Sequence, residues 1–185
     1  MKLVLGSESP RRSELLSGLG YSFRTLKPNA DETIPVGLEV EKVPTYLAEL
    51  KAEILMDQVK PDETIICADT IVVLKNQIIG KPKEYNEAFS TLTSLSGNTH
   101  DVLTGVTIRS HIKSFSFLSK TAVTFAILSE EQIDYYIREF SPYDKAGSYG
   151  IQDWIGISAV LKINGSYTNV MGLPTGELKM HLEKF

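Results

Sequence analysis

Leu3-Val4-Leu5-Gly6-Ser7-Glu8-Ser9-Pro10-Arg11-Arg12 is the run whose reading decides the fold. A short apolar strand ends in a turn of small and polar residues and hands over to an apolar helix. Pro10 suits the first helical turn, where its missing N–H would be unbonded in any case, and Ser9 stands where a hydroxyl can cap the exposed backbone donors. The start of a helix carries partial positive charge, so a cation there costs about 0.3–1 kcal/mol. Arg11 and Arg12 nevertheless both fall in the first turn. A bound anion resolves the conflict, because backbone donors, the hydroxyls of Ser7 and Ser9 and two guanidinium groups would converge on it. The alternative is that both arginines point into water, and the rest of the chain must decide between the two.

Working outward, strand-like runs occur at 2–5, 22–26, 64–74, 77–80, 101–109, 114–127 and 159–164, and helical periodicity at 10–20, 39–59, 84–96 and 130–139. This alternation predicts an α/β fold with a mixed sheet. Val72-Val73-Leu74, Lys75-Asn76, Gln77-Ile78-Ile79 reads as a tight hairpin in which Asn76 must itself accept a positive φ, since no glycine follows it. A second hairpin is expected around Ser110–Lys113, with one wet face over 114–117, as a lobe edge or a dimer surface. No repeat, low-complexity segment or linker-like stretch marks a boundary, so a single domain over 1–185, at most two-lobed, is expected.

Composition narrows the function. Of the 185 residues 42% are apolar and 23% charged, and 19 basic against 23 acidic side chains give a net charge of −4, unlike a general nucleic-acid binder. Cys67 is the only cysteine and lies in the apolar run Thr64–Ala68, so no disulfide can form within the chain and a reducing compartment is expected. No apolar run approaches the roughly 18–20 residues of a membrane span, and the first apolar segment is too short for a signal peptide. A cytoplasmic protein is expected, without membrane or nucleic-acid partners.

Several polar groups stand where the pattern does not call for them. Asp69-Thr70 interrupts the apolar run from Ile65 to Val73, and a carboxylate there has to meet a metal, a cation or a hydrogen-bond network. Gly80-Lys81-Pro82 closes the first hairpin and could return Lys81 toward Asp69, although most such lysines are solvated. Asp31-Glu32 follows the strand at 22–26 and could supply oxygens to Mg²⁺ or Mn²⁺, or form a solvated acidic turn. Lys51, in Tyr46-Leu47-Ala48-Glu49-Leu50-Lys51-Ala52, reads by itself as an ordinary exposed helix lysine. Asp144-Lys145-Ala146-Gly147-Ser148-Tyr149-Gly150-Ile151-Gln152 allows close approach to a ligand, or tight packing in a turn. The stretch from Lys162 to Pro174 runs through Gly165 and Gly172 and could face backbone donors to a phosphate. His100, His111 and His181 lack metal-ligand spacing, and no GxxxxGKS/T or GxGxxG is present.

Taken in order, Ser7-Glu8-Ser9-Pro10-Arg11-Arg12, Ala68-Asp69-Thr70, Gly80-Lys81-Pro82, Lys145 to Gln152, and Gly165-Ser166-Tyr167 to Gly172-Leu173-Pro174 resemble the Maf family of nucleoside triphosphate pyrophosphatases over nearly the whole chain. The resemblance implies a Maf/ITPase-like α/β fold: a mixed twisted sheet flanked by helices, in two lobes around a central cleft, often as a homodimer. It implies hydrolysis of a nucleoside triphosphate to the monophosphate and pyrophosphate with a divalent cation. Arg11, Thr70 and Gln152 match the dTTP/UTP branch and would select the base. Ser7, Ser9, Arg12, Lys51 and Lys81 would hold the triphosphate, Asp69 would be the general base, and Glu32 with Asp69 would position Mg²⁺ or Mn²⁺. Gly6 stands where the family often has alanine, and the hairpin lacks its usual glycine. A different class of function, a nucleotide-binding regulator of septum formation that needs no turnover, also follows from the resemblance, although retention of Asp69 and Lys81 favours the enzyme.

Overall fold

Parallel strands cannot be joined by a tight turn, so each parallel pair needs a crossover, usually a helix. In the computed structural model, which describes residues 2–185, this is how the first half of the chain is built. Strand β1 (Lys2–Gly6) leads through helix α1 (Pro10–Gly18) to β2 (Phe23–Leu26), and α2 (Val43–Leu55) leads on to the twelve-residue β3 (Glu63–Leu74). Both β2 and β3 run parallel to β1, one on each side, with Gly6 level with Leu26 and Cys67. The rest is antiparallel hairpin and helix: β4 (Gln77–Ile79), α3 (Tyr85–Leu95), β5 (Thr99–Arg109), β6 (Ser114–Phe125), α4 (Glu130–Phe140), α5 (Trp154–Ala159), β7 (Val160–Asn164), α6 (Tyr167–Val170) and α7 (Thr175–Leu182). The sheet order is β2-β1-β3-β5-β6-β7, with β4 on β3, a seven-stranded sheet of the mixed kind expected.

The chain divides into two compact units: the chain up to Thr70 with Thr104–Ser119 and Gly172–Phe185, and Ile71–Leu103 with Lys120–Met171. In the first unit successive strand residues face opposite layers. Leu3, Leu5, Ile66 and Ala68 pack with Leu16, Leu178 and Leu182, while Val4, Ile65 and Cys67 pack with Ala52 and Leu55. Covering both faces is what makes β1 and the start of β3 continuous apolar runs, and each such Leu or Ile contributes about 1.5–3 kcal/mol by burial. In the second unit, Ala88, Leu92 and Leu95 of α3 and Ile133, Tyr136 and Ile137 of α4 recur at helical spacing and close on Phe125 and Tyr149.

Both expected hairpins are present. Lys75 and Asn76 have φ of 49° and 67°, so two non-glycine residues take the left-handed turn between β3 and β4. The Ser110 N–H donates to the Lys113 carbonyl at 2.9 Å, closing the second. Three features depart from the sequence reading. Ser9 occupies the cap position of α1 with an extended φ/ψ but makes no side-chain cap bond. The periodicity over 39–59 resolves into α2 with single 3-10 turns on either side, Val40–Lys42 and Met56–Gln58. Two short helices, α5 and α6, form over 154–170, where no helical period is visible because they are six and four residues long.

His100 is 2% exposed, with its ring edge-on to Phe125 and Tyr149 at centroid distances of 5.1 and 5.3 Å. Nε2 shares a 2.7 Å hydrogen bond with the Tyr149 hydroxyl, and Nδ1 is buried with no partner among the described residues. Burial pushes its pKa from 6.5 down to about 4. Between those values the unfolded chain binds a proton that the folded one refuses, so stability present above pH 6.5 is lost as pH falls toward 4, by up to about 3 kcal/mol. In urea unfolding at pH 7.5 and 4.5, His100→Phe is expected to be less stable than the native protein at the higher pH, with the gap closing at the lower. A gap that stays constant removes His100 as the titrating group.

Candidate active site

β1 lies between two parallel strands, with β2 reached through α1 on one side and β3 reached through α2 on the other. Where connections diverge like this, the carboxyl ends of the strands leave a crevice in which ligands bind in α/β sheets. The residues singled out at the start of the chain sit at that end. Gly6 is the last residue of β1, and a Cβ there would collide with the Cys67 sulfur and come to 2.9 Å from Leu55 Cδ1. Cys67 thus occupies the room that a side chain at position 6 would need. Ser7 follows, 5% exposed, and its hydroxyl accepts from the Ser9 N–H at 3.1 Å, turning the chain into α1.

Arg12 does not point into water. Its guanidinium donates to the Gly172 carbonyl (2.8 Å), the Ser7 hydroxyl (3.3 Å) and the Thr70 hydroxyl (3.1 Å). Desolvation lowers its pKa, partly offset by the charge of Asp69, and Arg11 adds a second nearby positive charge. The Thr70 hydroxyl is also bonded to Thr104 at 2.9 Å. The Arg12 guanidinium is therefore held at the helix start by three neutral acceptors, which do not themselves neutralise its charge.

Beside this lies the most buried charge cluster of the first unit. Lys51 is 6% and Asp69 9% exposed, and Lys51 Nζ is 2.6 Å from Asp69 Oδ1 and 2.8 Å from Glu32 Oε1. The exposed-lysine reading of Lys51 is thus overturned. Its signal was already in the sequence: Leu47, Lys51 and Leu55 recur every four residues, placing the lysine on the apolar stripe of α2, all three buried. A cation there needs a partner, and the carboxylate stranded in β3 is that partner. Of the acidic pair, Asp31 turns to its own loop, accepting from the Thr33 N–H and hydroxyl at 3.1 and 2.6 Å, and Glu32 reaches Lys51.

The second unit holds the other candidates. Lys81 is exposed just beyond β4, and the carbonyl of Gly80 before it accepts from the Gly147 N–H at 3.1 Å. Lys145 Nζ lies 2.9 Å from Asp144 and 3.8 Å from Asp153. Gln152 is half-buried, and its Oε1 has no hydrogen-bond partner among the described residues. Tyr136 and Asp153, not singled out from the sequence, form the hydrogen-bonded support of this turn. Among the described residues no group of three or more His, Cys, Asp or Glu side chains could hold a metal ion. No described helix is long and apolar enough to cross a membrane.

Comparison with known proteins agrees with the resemblance seen in the motifs. The chain is 50% identical to a Porphyromonas gingivalis protein named dTTP/UTP pyrophosphatase, over 100% of this chain and 94% of that one. A Phocaeicola vulgatus protein of the same name is 52% identical over 99% of this chain and 95% of its own. A solved structure, that of the Staphylococcus aureus Ham1 protein, overlaps 68% of this chain and 72% of its own at 14% identity, with a TM-score of 0.47. Residues 2–185 match the family of Maf-like proteins, and the chain belongs to that family.

Proposed function

We propose that this protein is a nucleoside triphosphate pyrophosphatase that hydrolyses dTTP and UTP to the monophosphate and pyrophosphate. One observation carries the reading: a buried Asp69 carboxylate paired with Lys51, beside Arg12 held by neutral acceptors at the carboxyl end of β1. The two relatives named dTTP/UTP pyrophosphatase, at 50% and 52% identity over nearly full length, support the same substrates.

Each residue has a physical reason for its role. Lys51 takes Asp69 Oδ1 and leaves Oδ2 to receive a proton. Asp69 is then the general base: a water gives its proton to Oδ2 while its oxygen bonds to the α-phosphorus. The bond from that phosphorus to the α–β bridging oxygen breaks, and pyrophosphate leaves. Ser7, Ser9, Arg12, Lys51 and Lys81 hold the triphosphate and meet the charge growing on the leaving group, where fixed donors act strongly because they need no reorganisation. Arg11, Thr70 and Gln152 select the base.

Glu32 and Asp69 fit a divalent cation. Both already lie within ion-pair distance of one ammonium, so they can share a positive charge, and two carboxylates completed by phosphate oxygens and waters suit Mg²⁺ or Mn²⁺. When bound, the ion would neutralise charge on the phosphates. The same resemblance supports a homodimer and a cytoplasmic setting.

The test is pyrophosphate release across dTTP, UTP, CTP, GTP, ATP and 7-methyl-GTP with Mg²⁺ or Mn²⁺. Turnover of dTTP and UTP above the others is expected; preference for a purine overturns the assignment. Gln152→Glu replaces an amide that both donates and accepts with a group that only accepts. It is expected to cut the dTTP-to-CTP preference by about tenfold or more, since a mismatched base edge leaves polar groups unpaired. An unchanged nucleotide ranking removes Gln152 from the base-selecting set.

A further inference from the structure

The amide of Gln152 presents a problem of its own. An acceptor buried without a partner costs about 1–3 kcal/mol, and such groups in native proteins call for an explanation. Gln152 Oε1 is one. A free turn would let the amide swing out and hydrate. The turn from Gly150 to Asp153 is not free.

Both of its ends are tied to one hydroxyl. Tyr136, fully buried on α4, accepts from the Gly150 N–H at 3.0 Å and donates to Asp153 Oδ2 at 2.9 Å. The turn also closes on itself, with the Asp153 N–H donating to the Gly150 carbonyl at 3.0 Å, and Asp153 then starts α5 through its carbonyl, which accepts from the Gly156 N–H at 3.0 Å. Glycine at 150 leaves room for this. A Cβ there would come to 2.5 Å from Asp153 Oδ2 and 3.0 Å from Gln152 Nε2, so the carboxylate and the amide pack directly over its backbone. Burial and the neighbouring Asp153 raise the Tyr136 pKa, which keeps its proton, and so its donor, in place at any working pH.

We infer that Tyr136 is a positioning residue for base selection: by bridging the Gly150 N–H and the Asp153 carboxylate it holds Gln152 with an unpaired acceptor ready for a ring N–H of a pyrimidine. This rests on the reading of Gln152 as a base-selecting residue. Thymine and uracil carry an N–H at ring position 3 that can donate to Oε1, whereas cytosine presents an acceptor there. Preorganised in this way, the amide loses little freedom on binding, and the stabilisation goes to discrimination. Without the bridge the amide finds water, and the difference between the bases shrinks.

The test compares Tyr136→Phe, Gln152→Ala, Asp153→Ala and Asp153→Asn on dTTP, UTP and CTP, with melting temperatures alongside. Tyr136→Phe is expected to raise KM for dTTP and UTP by about tenfold with kcat within about twofold, and to compress the dTTP-to-CTP preference as Gln152→Ala does. Asp153→Ala is expected to reproduce this, and Asp153→Asn, which keeps an acceptor for the tyrosine hydroxyl, to retain most of the native preference. A merely structural role would lower stability without separating KM from kcat and without rescue by asparagine. If Gln152→Ala relaxes the preference and Tyr136→Phe does not, the inference is overturned and the reading of Gln152 stands. If Gln152→Ala leaves the preference intact, both fall. Should Tyr136→Phe not fold, the two Asp153 variants decide, and equal behaviour of alanine and asparagine overturns the inference.

Discussion

Asp69→Asn is expected to lower the rate of pyrophosphate release from dTTP by about a thousandfold, the middle of the range that a positioned general base supplies. The substitution is nearly isosteric. It keeps an oxygen facing Lys51, whose ammonium also retains its 2.8 Å pair with Glu32. The fold therefore keeps its charge balance on Lys51, and the three hydrogen bonds of Arg12 do not involve Asp69. What is lost is the ability to take a proton from water, since a neutral amide is not a base at any working pH. Affinity for dTTP, measured by calorimetry with the variant, is expected to stay within a few-fold of the native value. Loss of rate together with retained binding separates base from ligand. Turnover within tenfold of native would sink the base assignment, and equal loss of binding would move Asp69 into substrate or metal binding alone.

Several residues of the candidate site stand out in the sequence because they break local rules. Arg12 opposes the helix dipole and Asp69 interrupts a buried strand, and each meets its compensation elsewhere in the fold. The strands were read within a residue or two because both faces of β1 and β3 are covered, which leaves apolar runs too continuous to miss. Lys51 was misread for a related reason. A lone lysine in a helix is ordinarily solvated, and only its spacing from Leu47 and Leu55 places it on the apolar stripe. Other features were out of reach. Tyr136 looks like any core aromatic on an amphipathic helix, and its function lies in a hydroxyl whose two partners are 14 and 17 residues away. The partners of Arg12 include a backbone carbonyl 160 residues away, and a carbonyl leaves no trace in a sequence. The two short helices after Asp153 are set by packing and caps rather than by a period that a window could detect.

The largest expected effect on stability comes from Lys51→Met. Methionine is unbranched and close in length, so it can fill the lysine's place on the buried stripe of α2 between Leu47 and Leu55. What disappears is the buried ammonium 2.6 Å from Asp69 Oδ1. Removing one partner of a buried pair costs about 3–5 kcal/mol, because the other is left as an uncompensated charge. Glu32, with its side chain 55% exposed, adds little to that cost because water screens it. A loss near the lower figure, about 3 kcal/mol, corresponds to a melting temperature lower by roughly 6–12 °C for a chain of this size. Millimolar Mg²⁺ is then expected to restore part of it. A divalent cation held by Glu32 and Asp69 supplies the charge that the ammonium no longer does, so the variant should gain several degrees more from Mg²⁺ than the native protein. Adding Glu32→Gln to the variant should remove most of that gain. Activity is expected to stay lost, since the cation restores balance but not the contact to phosphate proposed for the lysine. A variant as stable as the native protein in chelator would mean that Asp69 is hydrated well enough to stand alone. A variant destabilised as expected but indifferent to Mg²⁺ would mean that the two carboxylates do not hold a metal in the absence of substrate phosphates.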